Sequence, residues 1–441
     1  MLVKPITLSA SEKPEVHWRF FFGYFFHFLL AFLSLSQWGC VLWGWIVLVN
    51  PTVPLTPLWH ISSLLVLYTV NLFLVTSLRQ ISSLSTTLQL SLRVYFAWGF
   101  TSMFGFLFLL LSGGAWGSLW LVCQTVGVAI AGVESEIAAT GAFLWRSFRW
   151  VTIAGMSLIV STFFYGYTLG QKRMSITRFT LPLHNLPPEL DGLTLAHISD
   201  LHIGPNLEEA ALCNYVDQVN ALKPDLILIT GDIFDSRHSD IPKYSHILGK
   251  LRARYGVFAV LGNHDCYAGA TAVEEGLRRY TGITLLRDQH VAAAIKGHLL
   301  HLLGVDDLGH DWARGLESHP ILSQLLTTVP SGQPTILLSH RPDLFVQAAR
   351  AGIGLTLSGH THGGQLALPR FWGKRNLNLA CLITAFSRGL YEQKGVFLYV
   401  NRGLGVTGQR IRLFTPREIA LITLSANWQS LKGRQWPFSC W

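Results

Sequence analysis

The chain divides into a long apolar part and a part in which short apolar runs alternate with polar segments. Five apolar stretches in the first part are each close to or above the roughly 20 residues that a membrane-spanning helix requires. They lie at 20–49, 58–78, 94–111, 115–133 and 150–169. Gly113, Gly114 and Gly117 make the start of the fourth stretch the weakest, so four spans is the main alternative. We predict five spans, in a multi-pass transmembrane anchor domain over residues 1–170.

Beyond residue 192, short apolar runs alternate with helical patterns. The predicted strands are 193–199, 226–230, 257–261, 299–305, 335–339, 354–357, 396–400 and 419–424, and the predicted helices are 208–222, 242–254, 270–280 and 342–351. Strands that alternate with helices indicate an α/β domain with crossover connections. In such sheets, ligands bind outside the carboxyl ends of the strands. This geometry predicts where functional polar residues should fall.

The charged residues follow the same division. Residues 1–170 hold seven of the 34 Lys and Arg and no Asp, whereas the rest of the chain holds 14 of the 17 His. This distribution supports a membrane domain followed by a soluble domain at 193–441. Residues 171–192, which contain three prolines, form a predicted linker and entry to the second domain. The net charge of +9 includes no dense basic run, so we expect membrane lipids but no nucleic acid as a partner.

The orientation in the membrane is predicted from the basic residues near the span ends. With five spans, one side carries Lys4, Lys13, Arg19, Arg79, Arg93, Arg146 and Arg149. The other side carries Lys172, Arg173 and Arg178. Because basic residues favour the cytoplasm, the N-terminus is predicted to be cytoplasmic and the second domain extracytoplasmic, at the cell membrane. The prediction depends on the number of spans, because with one span fewer the second domain would lie on the same side of the membrane as the N-terminus.

Polar side chains cluster at the ends of five predicted strands. The segments are Asp200-Leu201-His202, Gly231-Asp232-Ile233-Phe234-Asp235, Gly262-Asn263-His264-Asp265, His340 and Gly359-His360-Thr361-His362. Asp200 and His202 are two residues apart, so in extended backbone both side chains leave the same face of the strand. Each segment alone is a common turn or surface pair, but five in order at strand ends indicate one shared site.

The donor atoms of these segments indicate the kind of ion that they would bind. Carboxylate and amide oxygens mixed with imidazoles suit Mn²⁺, Fe or Zn²⁺, whereas an all-oxygen set suits Mg²⁺ or Ca²⁺. Two such ions about 3.5–4 Å apart can clamp a phosphoryl group between them. We expect two divalent transition-metal ions and a phosphoester substrate. Mn²⁺ is the preferred ion, with Fe or Zn²⁺ as alternatives.

These segments resemble the motifs of the calcineurin-like metallophosphoesterases. The matching pattern is Asp-x-His, Gly-Asp-x-x-Asp, Gly-Asn-His-Asp, a single His and Gly-His-x-His, over roughly residues 190–425. The Gly-Gly-Gln run at 363–365 resembles a run shared by the membrane-attached bacterial branch of the family. The resemblance implies a fold of two packed mixed sheets flanked by helices.

The resemblance also implies roles for single residues. The first metal ion would be held by Asp200, His202, Asp232 and His362. The second would be held by Asp232, Asn263, His340 and His360, with Asp232 bridging the two ions. His264 would protonate the leaving group or steady the phosphate, and Asp235 would orient His264.

One position departs from the phosphoprotein phosphatases of this superfamily. These enzymes place Arg directly after the second Asp of the Gly-Asp motif, whereas here Ser236 follows Asp235 and Arg237 comes one place later. A phosphomonoester or phosphodiester on a small molecule or a lipid is therefore favoured over a phosphoprotein. The prediction is a membrane-anchored, dinuclear metal-dependent phosphoesterase.

The sequence leaves two alternatives open. A UDP-2,3-diacylglucosamine-type pyrophosphatase acting on a lipid A precursor would need a cytoplasmic site, contrary to the predicted orientation. A non-catalytic metal-binding scaffold with the same fold should show a broken ligand set. Here every ligand position and His264 are present, which favours the enzyme.

Overall fold

The computed structural model describes residues 15–49, 55–76, 86–129, 134–204, 207–307, 318–369 and 377–427. The chain forms two compact units, Met1–Thr162 and Phe163–Trp441. The described part of the first unit is helical, and the described strands all lie in the second.

Long apolar helices make up the described part of the first unit. They are α1 (Glu15–Gly44), which continues as a π-helix over Trp45–Val49, α2 (Pro57–Thr76), α3 (Thr86–Ala129) and α4 (Glu134–Thr168), whose end enters the second unit. Within the described residues, four stretches are long and apolar enough to span a membrane. These stretches are Phe26–Val49, Pro57–Thr76, Thr87–Thr125 and Ser135–Lys172.

The prediction of five spans is wrong, because the third predicted stretch and the described part of the fourth lie in one helix, α3. The three glycines do not break this helix. In apolar surroundings a break would leave backbone N–H and C=O groups without hydrogen bonds, which costs more than the glycines' flexibility. Trp116 also holds α3 against α4, since its Nε1 donates a hydrogen bond to Ser147 Oγ at 2.8 Å.

The described residues of the second unit form two six-stranded mixed sheets. In chain order the strands are β1 (Met174–Pro182), β2 (Thr194–Ile198), β3 (Leu226–Thr230), β4 (Val257–Val260), β5 (Ile283–Leu285), β6 (Gln289–Ile295), β7 (His298–Val305), β8 (Thr335–Ser339), β9 (Leu355–Ser358), β10 (Gly389–Gln393), β11 (Val396–Val400) and β12 (Arg417–Ser425). The strand orders are β1-β12-β2-β3-β4-β5 and β10-β11-β9-β8-β7-β6. Because β2 to β5 are parallel, as are β7, β8, β9 and β11, the carboxyl ends within each set meet at one edge.

Part of the predicted linker at 171–192 is sheet. Strand β1 lies within it and pairs in parallel with β12 along its whole length. It was not predicted because it is an edge strand whose residues are mostly half-buried, so its apolar pattern is weak.

Helices cover both outer faces of the sheets. They are α5 (Glu209–Ala221), α6 (Asp240–Leu248), α7 (Asn263–Tyr280), α8 (Pro320–Leu326) and α9 (Phe345–Arg350). The core between the sheets includes Leu195 and Leu228 of the first sheet and Leu302 and Leu338 of the second, all fully buried. The prediction of two packed mixed sheets flanked by helices is confirmed. The packing of the two sheets brings their ends into one region.

Candidate metal centre

The predicted site residues follow the carboxyl ends of five strands. Two strands of the second sheet and three of the first contribute: Asp200 and His202 after β2, Asp232 and Asp235 after β3, Asn263 and His264 after β4, His340 after β8, and His360 and His362 after β9. The structure brings eight of these side chains into one cluster, in which each lies close to at least one other. The ninth, Asn263, is buried next to His264 in the chain.

The backbone is left-handed at five of these nine residues. Strand β2 ends at Ile198, and Asp200 and His202 have φ values of 49° and 45°. The prediction that these two side chains leave one face of an extended strand is therefore wrong, although both reach the site. Asp232, His360 and His362 have φ values of 50°, 67° and 51°. Each such residue costs about 1–3 kcal/mol, and such strain clusters at functional sites, where the surrounding fold enforces it.

Two glycines allow the loops of the site to approach closely. A Cβ atom at Gly359 would collide with Ser199 Oγ and Asp200 Oδ2, and one at Gly262 would collide with Asp232 Oδ1. Glycine is therefore required because the loops after β4 and β9 pass directly against the two carboxylates.

Asp200, His202 and His362 form the first group of potential metal ligands, and all three are buried. His202 Nε2 lies 3.0 Å from His362 Nε2, which lies 3.5 Å from Asp200 Oδ1. His202 Nδ1 is 3.2 Å from Asp235 Oδ1. A proton held between Nδ1 and this carboxylate leaves the Nε2 lone pair of His202 directed at the other two ligands.

Asp232, His340 and His360 form the second group. His340 Nε2 lies 3.3 Å from Asp232 Oδ2 and 3.2 Å from His360 Nδ1. His340 Nδ1 donates to the carbonyl oxygen of Thr230 at 2.7 Å, which directs Nε2 into the site. Asp232 Oδ2 is also 3.4 Å from His202 Nε2. This one carboxylate oxygen therefore faces one imidazole of each group.

The residues fit a pair of divalent cations. Asn263 Oδ1 is buried and has no hydrogen-bond partner among the described residues. A buried amide oxygen without a partner is costly, so an ion or a water at this position would stabilise it. In both groups, lone pairs of imidazole and carboxylate converge at about 3 Å, and a cation between them would remove their repulsion. Imidazole, carboxylate and amide donors together suit a transition metal.

The charges of the site support the same fit. Burial raises the pKa of Asp232, but His340, His202 and His264 together outweigh burial and hold that pKa well below its usual value. Burial lowers the pKa of His360 and His362 well below the usual value. The carboxylate is thus ionised and these two imidazoles are neutral, which are the forms that bind metal. Burial also acts to lower the pKa of His340, but Asp232, Asp200 and Asp307 raise it to about 10, so three carboxylates act on this ring.

His264 borders both groups, and its side chain remains 22% exposed. Its Nδ1 lies 2.7 Å from the carbonyl oxygen of Asp235 and 3.3 Å from Asp235 Oδ1. Burial lowers the pKa of His264, but the hydrogen bond to Asp235 and the charge of Asp232 raise it to about 9. Because Nδ1 faces Asp235, the other ring nitrogen is available to a substrate. The carboxylate of Asp235 contacts His202 and His264 equally closely, so it positions both rings.

Comparison with known proteins identifies the family. A family model described as calcineurin-like phosphoesterase matches residues 193–364. The chain is 31% identical to an uncharacterised metallophosphoesterase of Campylobacter jejuni, over 61% of this chain and 69% of that protein. It is also 31% identical to the uncharacterised metallophosphoesterase YkuE of Bacillus subtilis, over 59% of this chain and 90% of YkuE. The chain belongs to the calcineurin-like phosphoesterase family.

As a member of this family, the protein is a phosphohydrolase. It is similar to a Bos taurus protein named transmembrane protein with metallophosphoesterase domain, with 33% identity over 57% of each chain. The family assignment implies divalent metal ions, and the two ligand groups provide places for them.

Asp265 is a buried residue of the phosphoesterase site that the sequence analysis did not assign a role. Its carboxylate accepts hydrogen bonds from the backbone N–H groups of Ile233 at 3.1 Å, Phe234 at 2.8 Å and Gly262 at 2.9 Å. It thus ties the loop that carries Asp232 to the loop that carries His264. Its place in the first turn of α7, where a carboxylate is favoured, could have indicated this role.

Arg412 is the other residue that sequence reasoning missed. It is fully buried, and its Nη2 donates to the carbonyl oxygens of Arg402 at 2.8 Å, Gly403 at 3.1 Å and Gly405 at 2.7 Å. The same nitrogen lies 3.4 Å from His362 Nδ1. Arg412 therefore holds the loop behind this ligand. No local pattern reveals it, because a single Arg 50 residues from His362 resembles any surface Arg.

Proposed function

We propose that the protein is a dinuclear metal-dependent phosphoesterase. The first ion would be held by Asp200, His202, Asp232 and His362, and the second by Asp232, Asn263, His340 and His360. The observation that carries the proposal is the position of Asp232 Oδ2, 3.4 Å from His202 Nε2 and 3.3 Å from His340 Nε2, where one carboxylate can bridge both ions.

The residues of the site have separate tasks in this proposal. Two bound divalent ions supply positive charge that orients a phosphoryl group and stabilises the charge developing on it. Asp235 fixes the His264 ring through Nδ1, so that the Nε2 proton faces the substrate. His264 then transfers that proton to the leaving oxygen, which makes it a general acid. Arg412 and Asp265 keep the ligand loops in place.

The local structure after Asp235 supports a substrate other than a phosphoprotein. Ser236 occupies the position at which phosphoprotein phosphatases of the superfamily carry Arg. Its hydroxyl donates to the carbonyl oxygen of Asp235 at 2.6 Å and lies 3.4 Å from His264 Nδ1. A neutral hydroxyl bonded to the backbone provides no guanidinium fork for a phosphate. The substrate proposed is a phosphomonoester or phosphodiester on a small molecule or a lipid.

The full chain is expected to hydrolyse an aryl phosphoester in the presence of Mn²⁺, and chelation is expected to abolish this activity. Chelation should also lower the melting temperature, because a ligand that binds only the folded state stabilises it. Mono- and diesters are compared by release of the coloured aryl alcohol, and metal content is measured by elemental analysis. A chain that binds two equivalents of metal without turning over any phosphoester would instead support the metal-binding scaffold.

The four candidate spans support a cytoplasmic site at the cell membrane. With an even number of spans, the N-terminus and the metal centre lie on the same side. The basic residues on that side are then Lys4, Lys13, Arg19, Arg79, Arg93, Lys172, Arg173 and Arg178, against Arg146 and Arg149 on the other. The positive-inside rule thus favours the cytoplasm. The extracytoplasmic prediction depended on five spans, and four spans also remove the objection to a lipid-precursor pyrophosphatase.

C-terminal fusions are expected to report the cytoplasmic orientation. A fluorescent protein that matures only in the cytoplasm should be bright, and alkaline phosphatase, which folds only outside the cytoplasm, should be inactive. The matched control carries the same reporters after residue 133, between the last two spans, where the signals should be exchanged. Active alkaline phosphatase at the C-terminus would restore the extracytoplasmic orientation.

A further inference from the structure

The described part of the second unit exposes large apolar side chains mainly in one region. Phe164 and Leu169 are exposed at the start of this unit, and Tyr267, Tyr280 and Leu299 are exposed elsewhere in the fold. Six others lie on the segments 366–369, 377–383 and 411–415, and we call them the apolar rim: Leu368, Leu377, Leu379, Leu382, Ile383 and Phe414. Leu382 is 82% exposed. A concentration of exposed apolar residues marks an interaction surface, whereas scattered ones do not.

Hydrogen bonds join the three segments of the apolar rim into one surface. The backbone N–H of Leu368 donates to the carbonyl oxygen of Leu377 at 2.8 Å, and that of Leu379 donates to Leu366 at 3.1 Å. Leu366 also forms a parallel β-bridge with Leu413. Because the backbone is paired, the side chains have a fixed direction, and their exposure is a property of the fold.

The apolar rim lies beside the metal centre. The Gly363-Gly364 turn directly follows His362, one of the proposed ligands. A Cβ atom at Gly364 would lie 2.6 Å from Asn378 Oδ1 and 2.8 Å from the backbone nitrogen of Leu379. The segment 377–383 therefore packs against the loop that carries the ligand.

The apolar rim is also continuous with the end of a candidate membrane span. The span Ser135–Lys172 includes the last residues of α4, which belong to the second unit. The Tyr165 ring stacks on the Phe414 ring, with centroids 6.4 Å apart, and Tyr167 donates from its hydroxyl to Gln409 Oε1 at 3.2 Å. The end of the span is thus fixed to the segment that carries one rim residue.

The surface at this end of α4 has the composition of a membrane interface. Phe164 and Leu169 are exposed on the span itself, and Lys172 and Arg173 lie at its end. Apolar side chains that insert among acyl chains, beside basic side chains that meet headgroup phosphates, are typical of interfacial segments. The apolar rim extends this surface towards the metal centre.

We propose that the apolar rim inserts into the bilayer interface where α4 ends, and that the site acts on phosphoesters carried by amphiphiles of that bilayer. This inference rests on the proposed function and narrows its substrate class. The bilayer is the occupant because the rim is joined to a candidate span by direct contacts. A phosphoester at headgroup depth would reach the metal centre while its acyl chains stay beside the rim.

An environment-sensitive label tests the location of the rim. The experiment uses full-length protein in lipid nanodiscs, with the native cysteines replaced by serine. The substitution Leu382→Cys provides one thiol, to which a nitrobenzoxadiazole fluorophore is attached. Leu299→Cys is the matched control, because Leu299 is 45% exposed at the amino end of β7, away from the metal centre. We expect blue-shifted emission, quenched by spin-labelled lipid, at position 382 only. Emission characteristic of water at both positions would overturn the inference.

Kinetics test the substrate class with native cysteines in place. The probes are an aryl phosphoester and the same ester carrying a dodecyl chain, both supplied to full-length protein in nanodiscs. The native chain should show a higher kcat/KM for the alkylated probe. Leu382→Glu should reduce that preference by about tenfold, as expected for losing the contact of one leucine side chain with the acyl chains. It should not change kcat/KM for the plain probe. Leu299→Glu should change neither value.

The two levels of the hypothesis fail in different ways. If the native chain hydrolyses neither probe, the proposed function is wrong, and the substrate class falls with it. If it hydrolyses both probes with equal kcat/KM, the phosphoesterase stands and the inference about the apolar rim is wrong.

Discussion

Asp232→Asn should bind metal on the order of 10²–10³-fold more weakly than the native chain, because breaking a buried charged pair costs several kcal/mol. The carboxylate is buried, and its Oδ2 faces one imidazole from each ligand group, so its charge is shared between both sites. Asparagine keeps the shape and removes the charge. Elemental analysis of protein dialysed against buffered Mn²⁺ measures the loss, and phosphoester turnover should fall with metal content.

Asp225→Asn is the matched control for this change. The Asp225 carboxylate accepts hydrogen bonds from Thr194 N at 2.9 Å and Thr194 Oγ1 at 2.8 Å, at the opposite end of β2 from the metal centre. It should retain native metal content and activity. If Asp232→Asn also retained two metal ions per chain, Asp232 would not be the bridging ligand.

His264→Ala should behave in the opposite way, with nearly intact metal content and a kcat lowered by about 10²–10⁴-fold, as for loss of a general acid. The Asp232 carboxylate stays in place because it is the backbone N–H of residue 264 that donates to Asp232 Oδ1, at 2.9 Å, and alanine keeps that group. Steady-state kinetics with the preferred aryl phosphoester, beside elemental analysis, separates turnover from metal binding.

Two further variants sharpen this division of roles. His298→Ala, which removes a partly exposed imidazole paired with Glu189 outside the site, should leave both measurements unchanged. Asp235→Asn should lower kcat and also weaken metal binding, because its carboxylate contacts both His202 and His264. Equal loss of metal from His264→Ala and Asp232→Asn would contradict the separation of general acid from ligand.

The strand-end residues could be predicted because two local patterns coincide there. Strands Leu226–Thr230 and Thr335–Ser339 have the predicted bounds, since each is a mostly apolar run of the kind that a fully buried parallel strand requires. Glycines and ligand-type side chains follow such runs directly, as at Gly262-Asn263 after β4. The rule that ligands bind at the carboxyl ends of strands then brings distant segments to one edge.

The rest of the site depends on tertiary contacts that leave no local pattern. The left-handed backbone of Asp200 and His202 is enforced by neighbouring loops, for example by hydrogen bonds from Asp200 N to Gly231 O and from His202 N to Asp232 O, both at 3.0 Å. Sequence periodicity describes only regular backbone, so it predicted extended chain here. The contact of Arg412 with His362 has the same origin.

Strand β12 lies between β1 and β2 in the first sheet, and this order affects how the chain folds while it is being synthesised. Met174 pairs with Arg417, so the first sheet cannot be completed until the ribosome has released the last strand. Until then β1, which follows α4 in the chain, has no strand partner, and β2 presents a free edge. Such long-range pairing folds slowly, and free edges invite association with other chains. We therefore expect the nascent protein to be prone to association with other chains until Ser425 has emerged.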